Sequence, residues 1–135
     1  MSNWKKPLPV ISGETKPFWK ACKKGVLLIQ HCSLCESYQF YPRALCANCW
    51  NTDVNWIESK GEGQIWTYTV TYQNRTAGFV DEIPYIVALV LLKEGVKLFT
   101  NIIDCNPKDV EIGMKVRVKF ITANDQISVP YFTPI

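Results

Sequence analysis

With 135 residues, 47% of them hydrophobic, and a formal net charge of +3, the chain has the composition of one ordinary globular domain or two very small ones. Its fifteen Lys and Arg are scattered among twelve Asp and Glu with no basic run longer than a pair, so no phosphate-rich partner is demanded. No stretch approaches the roughly 18 apolar residues of a membrane span, and MSNWKKPLPV lacks the apolar core of a secretory signal. The expectation is a cytoplasmic protein that does not enter the membrane.

Residues 1–14 read as an extended leader, with Pro7, Pro9 and Gly13 and little periodicity. Trp4 within it either folds back on the chain or docks on a partner. From Thr15, a candidate N-cap, Pro17 opens a short amphipathic helix that places Phe18, Trp19 and Cys22 on one side and ends near Gly25. Phe18 and Trp19 serve either the core or a partner, the core being favoured. Short apolar runs, VLLIQ, YQFYP and VNWIE, then border two cysteine pairs and predict short strands rather than helices.

KGEG at 60–63 marks a boundary, giving a helix-plus-ribbon unit over 15–60 and a second unit over 61–135. QIWTYTVTY alternates Ile65, Thr67, Thr69 and Thr71 against Trp66, Tyr68, Val70 and Tyr72, the period of a strand. After the break QNRTAGFVDEI come PYIVALVLL and VKLFTNII, joined through KEG as a hairpin, then KVRVKFIT and QISVPYF. Five strands with almost no helix predict a closed barrel, and the OB-fold is the commonest five-stranded solution. The fold class is therefore mainly β.

Cys32 and Cys35 form one C-x-x-C pair and Cys46 and Cys49 another, with ten residues between them. In a reducing compartment such pairs hold metal rather than disulfides, and a hairpin of that length brings four thiolates to one point. The expected occupant is Zn(2+), with iron or an iron–sulfur cluster as the competing alternative. Four protein ligands leave no open coordination position, so the metal is expected to be structural. A small lobe of this size needs such a staple, because it cannot bury enough apolar surface to offset its chain entropy.

His31, the only histidine, adjoins Cys32 and is expected beside the site rather than in it, and Arg43 also flanks the pairs. Cys22 and Cys105 read as small buried hydrophobes, since a nucleophilic cysteine needs a base that the sequence does not supply.

No nucleophile elbow, phosphate loop, dinucleotide fingerprint or zinc-protease motif occurs. Asp81 and Glu82 form a weak acidic pair whose ordinary reading is solvation. No catalytic residue is assigned. A barrel joined to a zinc ribbon also suits single-stranded nucleic acid, with Trp66, Tyr68 and Tyr72 as a stacking platform and Lys97, Lys115, Arg117 and Lys119 as cations. The same aromatics make an acceptable barrel core, and nucleic acid stands as the alternative reading.

The order KPFWKACKKGVLLIQHCSLCESYQFYPRALCANC, GQIWTYTVTY and IPYIVALVLLKEGVKLFTNIIDCNPKDVEIGMKVRVKF resembles the zinc-ribbon plus OB-fold proteins first catalogued as domain of unknown function thirty-five. The resemblance covers about residues 15–122 and combines FWKA, both cysteine pairs, the preceding PR, PYIVALV and IGMKVRV in family order. All four cysteines of the pairs are kept, although the second reads CANC where C-P-x-C is common.

What the resemblance implies is a rubredoxin-like zinc ribbon followed by an OB barrel. It further implies a small non-catalytic subunit, required by a thiolase-fold catalytic subunit in a hetero-oligomer and reaching the CoA thioester, if at all, through that partner. Its role would be to stabilise the partner or its CoA-thioester site. The segment from Gln73 to Ile83, with Gly78 and an exposed Phe79, is the expected contact.

Overall fold

The computed structural model describes residues 4–135, and the first three residues of the predicted leader lie outside them. A single helix, α1 (Lys16–Lys23), precedes eight strands: β1 (Leu28–Cys32), β2 (Tyr38–Gln39), β3 (Val54–Glu58), β4 (Glu62–Thr71), β5 (Tyr85–Leu92), β6 (Lys97–Ile102), β7 (Lys115–Thr122) and β8 (Ser128–Pro134). The predicted strand YQFYP shrinks to two residues, because Tyr41 turns into the left-handed region at φ 69°.

Thr15 occupies the N-cap position of α1, but its hydroxyl bonds back to Ser12 instead of capping the helix. The C-terminus follows the expected glycine pattern. Gly25, at φ 78°, lets its own N–H donate to Cys22 O and the Val26 N–H donate to Ala21 O, which also accepts from Lys24 N, so the last carbonyls of the helix are bonded.

Two sheets follow. The first, in the order β2-β1-β3, is antiparallel with Gln30 facing Gln39 on one side and Trp56 on the other. The second closes as a barrel in the order β4-β5-β6-β8-β7, with β7 returning to β4 through Gln64 and Lys115. Only β6 and β8 run parallel. This is the five-stranded OB-type barrel that the strand count predicted.

The two units do not keep separate cores. Phe18, Cys22, Leu27 and Ile29 belong to one contiguous apolar cluster with barrel residues such as Val90 and Phe132. At the junction, Ser59 N donates to Leu27 O, and the Glu94 carboxylate accepts from Ser59 Oγ and Lys60 N, each at 2.9 Å. The helix lies between β1 and the β7–β8 wall, which places its apolar side at this shared centre. Among the described residues no helix is long and apolar enough to cross a membrane.

Strict alternation in β4 is broken by a bulge. Ile65 faces Val90 and Thr67 faces Leu89, so Trp66 is an extra residue with no partner across the ladder. The expected face shared by Trp66, Tyr68 and Val70 is therefore corrected. Ile65 points inward at 0% exposure, Trp66 swings out at 49%, and Tyr68 and Val70 turn inward beyond the bulge.

Candidate metal centre and interaction surfaces

The two cysteine pairs sit in knuckles of the same design. In each, the first cysteine accepts a backbone bond from the residue four positions on: Glu36 N donates to Cys32 O, and Trp50 N donates to Cys46 O. The N–H groups of these cysteines donate in turn to Ser37 O and Asn51 O, both at 2.9 Å. Closing the knuckle forces Glu36 and Trp50 to φ 61° and 69°, an uncommon conformation for large side chains.

β1 delivers the first knuckle and the loop after β2 the second, and the four sulfurs converge. Cys32 Sγ and Cys49 Sγ are 3.5 Å apart, Cys35 Sγ and Cys46 Sγ 3.6 Å, and all four lie within 4.8 Å of one another. A tetrahedral metal with bonds of about 2.3 Å requires sulfurs about 3.8 Å apart, so the arrangement fits one ion. The donor set fits as well. Cys46 Sγ accepts from Asn48 N at 3.3 Å and from Cys49 N at 3.5 Å, the amide contacts that stabilise thiolates.

The Ser37 hydroxyl, followed by the Asn48 side chain, holds the Cys35 thiol down at about 5. At Cys49 the Asn51 N–H pulls downward, but burial and the three neighbouring sulfurs outweigh it and push that thiol up to about 12. Four crowded thiols cannot all ionise without a cation among them.

His31 stands outside the sulfur cluster, its ring 4.7 Å from that of Tyr38. Arg43 acts through its backbone. The buried side chain of Gln30 donates to Arg43 O at 3.0 Å, and its Oε1 accepts from Arg43 N at 2.9 Å and Gln39 Nε2 at 2.7 Å. Gln39 passes the tether on by accepting from Ala47 N at 2.8 Å. Neither glutamine was singled out in the sequence, where a polar residue in a strand reads as surface. Gln30→Ala leaves the Arg43 N–H without its acceptor, an expected loss of about 1–3 kcal/mol. Metal transfer to a competing chelator should accelerate by roughly 10–100-fold, as for other groups that orient ligands.

The two remaining cysteines differ. Cys22 is fully buried, and burial pushes its thiol up to about 12. Cys105 is half-buried at the cluster's edge, with a thiol raised by burial and then by Asp109. For Cys22 the folded state favours the neutral thiol. The unfolded chain ionises first, from roughly pH 8.5. Stability is expected to fall as pH rises from there towards about 12, and Cys22→Ala should flatten that fall in urea titrations read at successive pH values.

Phe18 is buried and meets Trp19 and Phe40 edge to face at 5.0 and 5.4 Å, so both helix aromatics pack against the core. The aromatic platform does not assemble as one surface. Tyr68 packs on the core, Tyr72 is exposed, and Lys97 Nζ lies 4.1 Å above the Trp66 ring. Lys115, Arg117 and Lys119 are exposed along β7, and Lys119 is paired with Asp104 at 2.8 Å.

Glu82 is drawn away from Asp81 by an ion pair to Lys6 at 2.8 Å. The expected exposed Phe79 is corrected to half-buried, because the leader lies across the 73–83 loop and Phe79 faces Tyr85 with ring centres 5.7 Å apart. Trp4 folds back and stacks on Tyr131.

One face of the barrel is apolar beyond what its interior needs. β5 turns Ile86, Ala88, Val90 and Leu92 inward, yet its outward residues Val87, Leu89 and Leu91 are apolar too. Leu89 sits in register between Thr67 and Phe99, and Phe99 is 62% exposed. Strands apolar on both sides are the pattern of sheets covered on both faces.

Known proteins share this architecture. Residues 19–55 match the family described as ChsH2, rubredoxin-like zinc ribbon domain, and residues 56–120 match ChsH2, C-terminal OB-fold domain. A probable enoyl-CoA hydratase alpha subunit of Thermomonospora curvata is 34% identical over 129 residues, which cover 96% of this chain. The chain spans 40% of that relative's length. A DUF35 domain-containing scaffold protein of Methanocaldococcus jannaschii is 34% identical over 76% of this chain and 73% of its own. Among solved structures, a chain of the Ltp2-ChsH2(DUF35) aldolase superposes with a TM-score of 0.85 at 34% identity, covering 94% of this chain and 98% of that one. The chain described here belongs to the DUF35 family, the zinc-ribbon and OB-fold proteins of the ChsH2 type.

Proposed function

We propose that this chain is a non-catalytic, zinc-binding accessory subunit of a heteromeric enzyme acting on CoA thioesters, and that its partner is a thiolase-fold catalytic subunit. The observation that carries this reading is the correspondence of 94% of this chain with 98% of a chain of the Ltp2-ChsH2(DUF35) aldolase. The hydratase alpha subunit supports the CoA-thioester class.

Cys32, Cys35, Cys46 and Cys49 hold a structural zinc in this reading, with every coordination position taken by sulfur. The helix and ribbon of residues 15–60 and the barrel of 61–135 form the rigid body that is presented to the partner. The outer face of β4, β5 and β6 is the contact, centred on Leu89 and Phe99. Of the charges on its described outward residues, Glu62 at the start of β4 is paired with Lys93 at 3.3 Å, whereas Lys97 in β6 lies over the Trp66 ring. Such a face suits an apolar partner surface carrying an acid opposite Lys97, and opposes a second copy that would set two lysines together. Coverage of this kind stabilises the partner's CoA channel by reducing the cost of ordering it when substrate binds.

Purification from the native source tests the proposal. Stoichiometric recovery of a thiolase-fold subunit, diminished by Phe99→Asp, is the expected result. Recovery of single-stranded nucleic acid with steep salt dependence, or acyl-CoA turnover by the isolated chain, would overturn it.

A further inference from the structure

The leader and the loop between β4 and β5 are far apart in sequence and meet at one side chain. Lys6, 12% exposed, pairs with Glu82 Oε2 at 2.8 Å and donates to the Tyr131 hydroxyl at 3.2 Å. The same ammonium lies 5.0, 5.3 and 5.4 Å from the ring centres of Trp4, Phe79 and Tyr131, within the range of cation–π attraction. Beneath it the backbones nearly touch. A Cβ on Gly78 would come within 2.7 Å of Lys6 N and 2.8 Å of Lys5 C, so only glycine admits the leader at this depth.

Away from this point the leader is loosely held: Val10 is 87% exposed, Leu8 45% and Ile11 41%. The loop has little of its own to fix it to the barrel. Its backbone bonds are local turns, with Phe79 N and Val80 N donating to Thr76 O and Glu82 N to Phe79 O. Asn74 Nδ2 donates to the Tyr85 hydroxyl at its root. Leader, loop and barrel enclose a cleft of about 650 Å³ lined by Trp4, Lys6, Gly78, Asp81, Ile121 and Tyr131.

We propose that residues 4–11 are a releasable strap, that the Lys6 ammonium in its Trp4–Phe79–Tyr131 cage is the lock, and that the order of the 73–83 loop depends on the strap being seated. Positive charge is essential to the lock, since both the Glu82 carboxylate and the aromatic faces select a cation. Apolar filling of the same space meets neither demand. Release removes one wall of the cleft and leaves an open groove beside the loop. The device belongs to the free chain and holds whether or not the proposed partner is right.

Amide hydrogen exchange on the zinc-loaded, full-length chain tests it, with Lys6→Met, which keeps an apolar stem of similar length, and Lys6→Arg, which keeps the charge. In Lys6→Met, exchange at Phe79, Val80 and Glu82 should accelerate by about tenfold or more, while the amides of Cys46, Trp50 and β5 stay protected. Lys6→Arg should keep the loop close to the parent. Unchanged loop protection in Lys6→Met, or equal loss in both variants, would overturn the lock. Protection in β5 shows in the same experiment that each variant is folded.

Discussion

Replacing Cys46 by Ser is expected to strip the metal from the chain and unfold the two knuckles around it. Cys46 is 2% exposed, faces Cys35 across 3.6 Å and its sulfur accepts two backbone N–H groups, so it is a fixed corner of the four-sulfur cluster. A serine oxygen is shorter, harder and protonated at neutral pH, and it cannot replace the fourth thiolate. The knuckle end of the ribbon has little else to hold it. β2 is two residues long, and Leu34, Leu45 and Trp50 around the knuckles are 70%, 43% and 78% exposed, so no apolar core forms beneath them.

Structural zinc sites contribute roughly 10–16 kcal/mol in isolated fingers, far more than the hydrogen bonds of two knuckles supply. Zinc measured by atomic emission should fall from one per chain to none. Limited proteolysis should open sites between residues 33 and 53 that the parent protects. Full retention of zinc, or its loss with melting and proteolysis unchanged, would contradict a structural metal.

The cysteine spacing made this centre legible, because two C-x-x-C pairs ten residues apart constrain four side chains at once. The barrel was legible for a similar reason: each strand announced itself by local alternation, and five strands leave few ways to close. What the sequence concealed was of two kinds. The bulge at Trp66 shifts the alternation by one residue, and no pattern in QIWTYTVTY marks where the insertion falls. The Gln30–Gln39 tether and the Lys6 cage join residues by bonds that local periodicity does not encode, Lys6 lying 76 positions from Glu82 and 125 from Tyr131. A lysine just ahead of a proline reads as solvated leader, and only the folded chain brings three aromatic rings around it. The division into two units was drawn from punctuation at KGEG, yet punctuation cannot tell whether the pieces on either side share a core.

That question has a second large consequence, at Ile29. This residue lies on β1, outside the barrel, at 1% exposure, and it belongs to the cluster that includes Val90 and Phe132. Ile29→Ala removes buried carbons where ribbon, helix and barrel meet, and large-to-small changes at such sites cost about 2–5 kcal/mol. Against a total of roughly 5–15 kcal/mol for a domain, this is a substantial share and should lower the melting temperature by on the order of 10 °C.

The expected signature is joint loss. In urea, zinc release to a chromogenic chelator and exchange of the barrel amides of Val90 and Phe132 should shift to the same lower midpoint, because the cavity weakens packing that both units use. A ribbon folding on its metal alone would behave otherwise. Its zinc would leave earlier while the barrel midpoint stayed with the parent, and that separation would refute the shared core. Coincident midpoints would instead mean that the metal helps hold the barrel core in shape, since Cys32 at the end of β1 and Ile29 near its start ride on one strand.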